Sequence, residues 1–231
     1  MNEFTALAIS FLGITTVRKF RAHFGVSPFI CYLVWWLLAK AKKLPTGAKP
    51  IHLLSALMFM KVYSSEAVLS SKVGMDEKTY REWNWQMVGS IASLAPDVIK
   101  WRGNFDVLPG FDTSISVDCT DVPINEPPCP LRECWYSHKL NRAGLRYEIA
   151  LSIIDGDIIW ANGPYPAGRW PDIKIFRHRL KHFMREGERA EADKGYRGEP
   201  HHISAPDDCH NYKQRNVKSK IRNRHETVNK R

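Results

Sequence analysis

Three acidic residues stand where carboxylates do chemistry. Asp118 closes the alternating run "SISVD" (114–118), Asp193 closes "RAEAD" (189–193), and Glu226 lies in the closing segment "RNRHETVNKR" (222–231). Two strand-end aspartates and a helical glutamate can converge at one end of a sheet. Carboxylates brought together repel, so such a cluster either holds protons or binds a cation. Mg²⁺ (or Mn²⁺) takes oxygen ligands and keeps waters or phosphate oxygens in its shell. Two such ions about 3.5–4 Å apart can flank a phosphodiester, one activating water or a 3′-hydroxyl and the other stabilising the leaving oxygen. In-line displacement then asks the protein mainly for positioning.

Each acid also has a plainer role. Asp118 suits a strand end, and Asp193, just before Lys194-Gly195, suits a turn. Asp121 lies three residues beyond Asp118 and competes for its place. Asp172 reads as a helix N-cap. Glu226 is four residues from both Arg222 and Lys230, the spacing of a helical ion pair. At about 100° per residue it lies about 180° from Val217, off the stripe of Val217, Ile221 and Val228. That suits a carboxylate facing a site and equally one facing water. Zinc is a weak alternative: Cys129, Cys134 and His138 lack a fourth ligand at finger-like spacing, and His201, His202, Cys209 and His210 fare no better.

The elements that must position these acids follow from hydrophobic periodicity. The chain to about residue 104 has helical character, with "IHLLSALMFMKVY" (51–63) as a core helix. A short helix over Glu66–Val73 ends at Gly74, and Asp76 caps a second helix whose buried side is Tyr80, Trp83, Val88 and Met87. Helix, glycine turn, helix is the outline of a helix-turn-helix near residues 66–94, which would set Lys78, Thr79, Arg81 and Glu82 near DNA; an ordinary helical hairpin has the same outline. "WRGNFDVLPGF" (101–111) reads as a junction. Beyond it, "SISVD", "RYEIALSI" (146–153) and "DIIWA" (157–161) alternate like strands, the last two forming a hairpin around a "DG" turn. A helix then runs from Asp172 along Ile173, Phe176, Leu180 and Phe183 to Gly187, followed by the strand "RAEAD", a loop through "HHISAP", and a helix from Gln214. Three antiparallel strands, a crossover helix, a further strand and a last helix make the ribonuclease H-like α/β arrangement. The expected division is a helical region, 1–104, and a nuclease-like domain, 105–231.

Composition sets the partner class. Thirty-four Lys and Arg against 24 Asp and Glu give a net charge of +10 in 231 residues. The charge is uneven: residues 1–110 and 212–231 carry net +6 and +7, while 111–211 carry net −3. An acidic centre between basic ends suits a carboxylate site flanked by surfaces that attract a polyanion, most simply nucleic acid. Five scattered cysteines without a Cys-x-x-Cys suit a reduced, intracellular protein. "TALAISFLGITTV" is preceded by Glu3 and followed by Arg18, the reverse of a secretory signal. "FICYLVWWLLA" is too short to span a bilayer. A soluble protein without a membrane partner is expected.

The run "SVDCTDVPINEP … YSHKLNRAGLRYEIALSI … GDIIWANGPYPAGRWPDIKIFR … GERAEADKGYRGEP … RHETVN" resembles the DDE endonuclease domain of Harbinger-type transposases and their domesticated relatives. The resemblance covers 114–231 in order and extends upstream through "HLLSALMFMKVY" and "KTYREWNWQMVGSIASL". It implies that the first acid, in "VDCTDVPI", is Asp118, the second, in "ADKGY", is Asp193, and the third, in "RHE", is Glu226, together holding one or two Mg²⁺ or Mn²⁺ ions. It further implies metal-dependent cleavage and joining of DNA in the nucleus, with a second DNA-binding protein or a homo-oligomer as a further partner. The family's domain continues past the third acid, whereas this chain ends five residues after Glu226. A domain truncated at its C-terminus is therefore expected.

Two functions of different class follow: a DNA endonuclease, or a non-catalytic DNA-binding or protein-interaction module of the same descent. A metal-dependent nuclease acting on RNA is a third. Lys213, Arg215, Lys218, Lys220, Arg222 and Arg224 are expected to attract phosphates, with binding that weakens as salt rises.

Overall fold

A computed structural model describes residues 3–103, 105–107, 112–128, 132–205 and 212–229; in the last helix the described side chains are those of 215–228. The chain divides into two compact units, Met1–Val98 and Ile99–Arg231.

The first unit is helical: α1 (Glu3–Leu12), α2 (Val17–Phe24), α3 (Pro28–Lys40), α4 (Pro50–Val62), α5 (Glu66–Val73), α6 (Glu77–Ser93) and α7 (Ala95–Val98). Its centre is α4, in which every residue from His52 to Met58 is buried. A helix apolar on all sides belongs inside its unit. Phe4, Phe20, Phe24, Leu38, Leu69 and Met87 join the same core. The turn between α5 and α6 is built as expected. Gly74 ends α5 at φ 67°, a left-handed conformation that costs glycine nothing. Asp76 caps α6 by accepting from the backbone N–H groups of Lys78 and Thr79 at 3.1 and 3.0 Å. One packing expectation changes. Asn84 takes a buried place on α6 beside Tyr80 and Met87, while Trp83 is half-buried and stacks on His52 with ring centroids 3.9 Å apart. Among the described residues no single helix is long and apolar enough to cross a membrane.

The second unit is a ribonuclease H-like α/β fold. Its strands are β1 (Ile115–Pro123), β2 (Tyr136–Ser137), β3 (Arg142–Ser152), β4 (Ile158–Pro166), β5 (Ala190–Glu191) and β6 (Ile203–Ser204); its helices are α8 (Asp172–His178) and α9 (Tyr212–Asn229). They form one mixed sheet in which β3 pairs antiparallel with β1, β2 and β4, and β5 pairs parallel with both β1 and β6. The β1–β3 register runs unbroken from Ile115↔Ser152 to Pro123↔Gly144. One face of β1 (Ile115, Val117, Cys119) packs with Ile175, Phe176, Leu180 and Tyr196 in the core of this unit. The alternation of side chains sends Ser116 and Asp118 to the opposite face, where the buried His225 of α9 donates from Nε2 to the Ser116 carbonyl at 3.1 Å. Trp101 and Phe105, in the segment read as a junction, pack against this core.

Three local expectations are corrected. The crossover helix stops at His178 and gives way to a 3₁₀ turn at Leu180–His182, because Leu180 is buried from that turn while Phe183 stays 48% exposed. Asp172 is not a cap: Pro171 takes the N-cap position, and Asp172 is buried. The loop through "HHISAP" contains β6, two residues long and held by β5 alone.

Candidate active site

Asp118 and Asp193 are set by strand geometry. Asp118 does not end its strand as expected: β1 runs on to Pro123, Asp118 is its fourth residue, and its Oδ1 accepts from the backbone N–H of Cys119 at 2.8 Å. Asp193 follows β5 by two residues and its Oδ1 accepts from Gly195 N–H at 2.8 Å, capping a short 3₁₀ turn. Glu226 comes from α9. All three line one cavity of about 120 Å³, together with Ser116, Val117, Glu191, Arg222 and His225.

The electrostatics match crowded acids. The Asp118 carboxyl is pushed up to about 6, first by burial and then by the charges of Asp193 and Asp172, against the pull of Lys139. Lys139 donates from Nζ to the Cys119 carbonyl at 3.0 Å, which sets its ammonium beside the middle of β1, next to Asp118. Asp172 is likewise raised, by burial first, with Asp193 and Asp121 adding and Lys139 and Arg146 opposing.

Asp121 does not share this environment. It is gripped by Arg146, whose Nε and Nη2 donate at 2.7 and 2.8 Å, and by the Ser137 hydroxyl. Burial works to raise its carboxyl, and the hydrogen bonds from Arg146 and Ser137 outweigh it, so the group sits below its ordinary value. Arg146 also pairs with Asp172 at 2.9 Å, which explains why Asp172 turns inward rather than capping α8.

The basic residues of the tail divide. Arg215 and Lys220 are exposed. Lys218 corrects the expectation: it is 4% exposed, donates to Ser204 Oγ and pairs with Glu191 at 3.2 Å. Arg222 pairs with the same carboxylate at 3.1 Å, and Arg224 donates to the Ile153 carbonyl at 2.7 Å. The buried stripe of α9 is thus Lys218, Ile221 and His225, not Val217, Ile221 and Val228. In the helical unit Lys78 is exposed and Arg81 pairs with Glu66 across the α5–α6 turn. The Lys213 side chain, Cys129, Cys209 and His210 lie outside the described residues.

Residues 117–231 match the DDE superfamily endonuclease family. The match takes in every strand of the α/β unit and α9, and so contains all three acids. No curated protein and no solved structure matches the chain. Nucleases of the DDE superfamily generally use divalent metals and act on DNA.

In the DDE endonuclease domain the donor chemistry fits such an ion: the cavity acids offer oxygen alone, the preference of a hard cation, and a cation offsets the repulsion that raises Asp118. Asp118 and Asp193 are the electrostatically coupled pair, with Glu226 on the same cavity. Among the described residues no three His, Cys, Asp or Glu side chains are gathered as closely as a bound ion requires.

Glu191 is the site residue that pattern reading overlooked. It had a signal: in "RAEAD" the alanines face the core, so Glu191 and Asp193 share the opposite face.

Proposed function

We propose that the protein is a transposase-derived DNA endonuclease of the Harbinger type, acting in the nucleus, with Asp118, Asp193 and Glu226 as its metal-binding carboxylates. The observation that carries this reading is the single cavity lined by all three acids within a DDE endonuclease domain. Bound Mg²⁺ or Mn²⁺ supplies Lewis-acid activation of the attacking oxygen and charge stabilisation at the leaving oxygen. The chain's own contribution is positioning. Backbone N–H groups of Cys119 and Gly195 each fix one carboxylate oxygen, of Asp118 and Asp193 respectively. Lys139 offsets part of the negative charge around Asp118. Arg215, Lys220 and, in the helical unit, Lys78 are the exposed cations that would meet phosphates.

A plasmid-nicking assay with Mg²⁺ or Mn²⁺ tests this reading, comparing the native chain with Asp118→Ala and Asp193→Ala. Loss of nicking in both variants is expected; nicking that survives both overturns the site. The second reading, a non-catalytic DNA-binding module, draws on the absence of three closely gathered ligands among the described residues. It predicts salt-sensitive DNA binding without nicking. Parallel RNA substrates separate a ribonuclease.

A further inference from the structure

The cavity has two layers. Ser116 and Glu191 are cross-strand partners in the β1–β5 pairing. Two residues further along the chain in each case come Asp118, still on β1, and Asp193, just past the end of β5, and both line the cavity. On α9, Arg222 pairs with Glu191, and one helical turn further comes Glu226. Each acid of the candidate site therefore stands one structural repeat beyond a residue of the layer beneath it: Ser116, Glu191 or Arg222. All six line the same cavity.

The lower layer is built on a buried ion pair, with Arg222 at its partly exposed edge. The Glu191 side chain is 0% exposed, Lys218 5% and Arg222 31%. Burial pushes the Glu191 carboxyl up, against the pull of Lys218 and Arg222. A buried carboxylate and a buried ammonium persist only while each has the other. Among the described side chains of α9, Ile221 is the one buried apolar residue. Among the described contacts the helix is thus held by Lys218 and Arg222 on Glu191, by Lys218 on Ser204, by His225 on the Ser116 carbonyl and by Arg224 on the Ile153 carbonyl. An apolar contact of the same volume can hold a helix as firmly, and the best-attested use of a buried polar pair is to fix register. Charge pairs at fixed points set its register.

We infer that Glu191, Lys218 and Arg222 form a buried ionic clasp that sets the position of Glu226 relative to Asp118 and Asp193. They are positioning residues, not phosphate contacts, and the inference rests on the metal-site reading above.

The test uses the full chain with Glu191→Gln, the double variant E191Q/K218M, and Arg222→Gln. Three quantities are measured: Mn²⁺ affinity by calorimetry, amide hydrogen exchange over 217–226 without metal, and nicking as Mn²⁺ is titrated. E191Q strands the Lys218 ammonium; it should weaken Mn²⁺ binding by about tenfold or more and speed exchange in α9 while β1 and β3 stay protected. The Mn²⁺ concentration for half-maximal nicking should rise while KM for DNA holds. E191Q/K218M removes both buried charges, so it should recover α9 protection but not the Mn²⁺ affinity, because nothing then fixes the register of the helix. If E191Q does not fold, the double variant and R222Q carry the test, with R222Q weakening Mn²⁺ binding several-fold. An E191Q affinity within about twofold of the native value, or a double variant that regains the native affinity, overturns the clasp. No Mn²⁺ binding by the native chain overturns the metal-site reading instead. The exchange measurement then decides the clasp alone, and unchanged α9 protection in E191Q overturns it.

Discussion

Asp121 and Arg146 face each other across the β1–β3 pairing and meet in a two-point grip, Nε to Oδ1 at 2.7 Å and Nη2 to Oδ2 at 2.8 Å. Asp118, three residues away, lies under a different balance: burial raises its carboxyl, Lys139 pulls it down, and Asp193 and Asp172 push it up. The two acids therefore respond oppositely to neutralisation. Asp121→Asn leaves Arg146 half-paired in a buried place and should cost about 2–3 kcal/mol. Asp118→Asn removes a repelled, largely buried charge and should be neutral or stabilising near pH 7. Urea denaturation of both variants reads the contrast; equal losses would contradict it.

Divalent metal should stabilise the native chain. Ligand that binds the folded state alone adds about 2.7 kcal/mol at one hundred times its Kd. Mg²⁺ or Mn²⁺ should therefore raise the unfolding midpoint, and EDTA should return it to the metal-free value. Asp118→Asn and Asp193→Asn should show no rise. Scanning fluorimetry across a metal titration distinguishes these cases from a general ionic effect, which would move all three proteins alike.

Glu148 gives a pH dependence independent of metal. Its side chain is fully buried on β3 and accepts from Trp160 Nε1 at 3.1 Å. Burial pushes its carboxyl up to about 8, from an ordinary value of 4.5. Between those values the folded state holds a proton that the unfolded state has released, so stability falls as pH rises through the window. The slope approaches about 1.4 kcal/mol per pH unit. Below 4.5 the contribution is fully present; above about 8 it is spent. Glu148→Gln should remove this slope. Denaturant midpoints from pH 5 to 9 test it, and parallel curves for both proteins would refute it.

Gly168 allows a close backbone approach. A β-carbon there would stand 2.1 Å from the Glu133 carbonyl oxygen and 3.0 Å from that of Tyr136. Both obstacles are main chain and cannot rotate aside. Gly168→Ala should cost about 3 kcal/mol, at the upper end of overpacking losses. It should also loosen the Arg146 grip, since Arg146 donates to the carbonyl of the nearby Trp170 at 3.1 Å. A melting temperature close to that of the native chain would show that the segment yields more easily than its contacts indicate.

The parts of the fold that could be read beforehand are those whose instructions are local. Gly74 and Asp76 mark the α5–α6 turn by themselves, and the alternation in 146–153 marks β3. Asp118, Asp193 and Glu226 could be named because each sits in a short motif that the family resemblance marks, although β1 runs five residues beyond Asp118 and β5 stops two residues before Asp193. What escaped reading depends on partners distant in sequence. Nothing within "DIKIF" reveals that Asp172 turns toward Arg146, 26 residues earlier, and so leaves the cap to Pro171. Lys218 looks like every other cation of the tail until Glu191 is placed beneath it. β6 is two residues long and exists as a strand only because β5 is beside it.

β3 acts on the domain as a reading frame acts on a message. Its pairing with β1 sets Arg146 against Asp121, Glu148 against Cys119 and Ile149 against Asp118. Because neighbouring side chains point to opposite faces, loss or gain of one residue within the strand would exchange the two faces beyond that point. Arg146 would leave Asp121, and Tyr147 would take its place in the core side. Substitutions along β3 alter one position at a time, but a single-residue indel rewrites every position downstream of it. A one-residue insertion should therefore cost less in the turn at 153–157, which lies outside the β1–β3 register, than anywhere within β3.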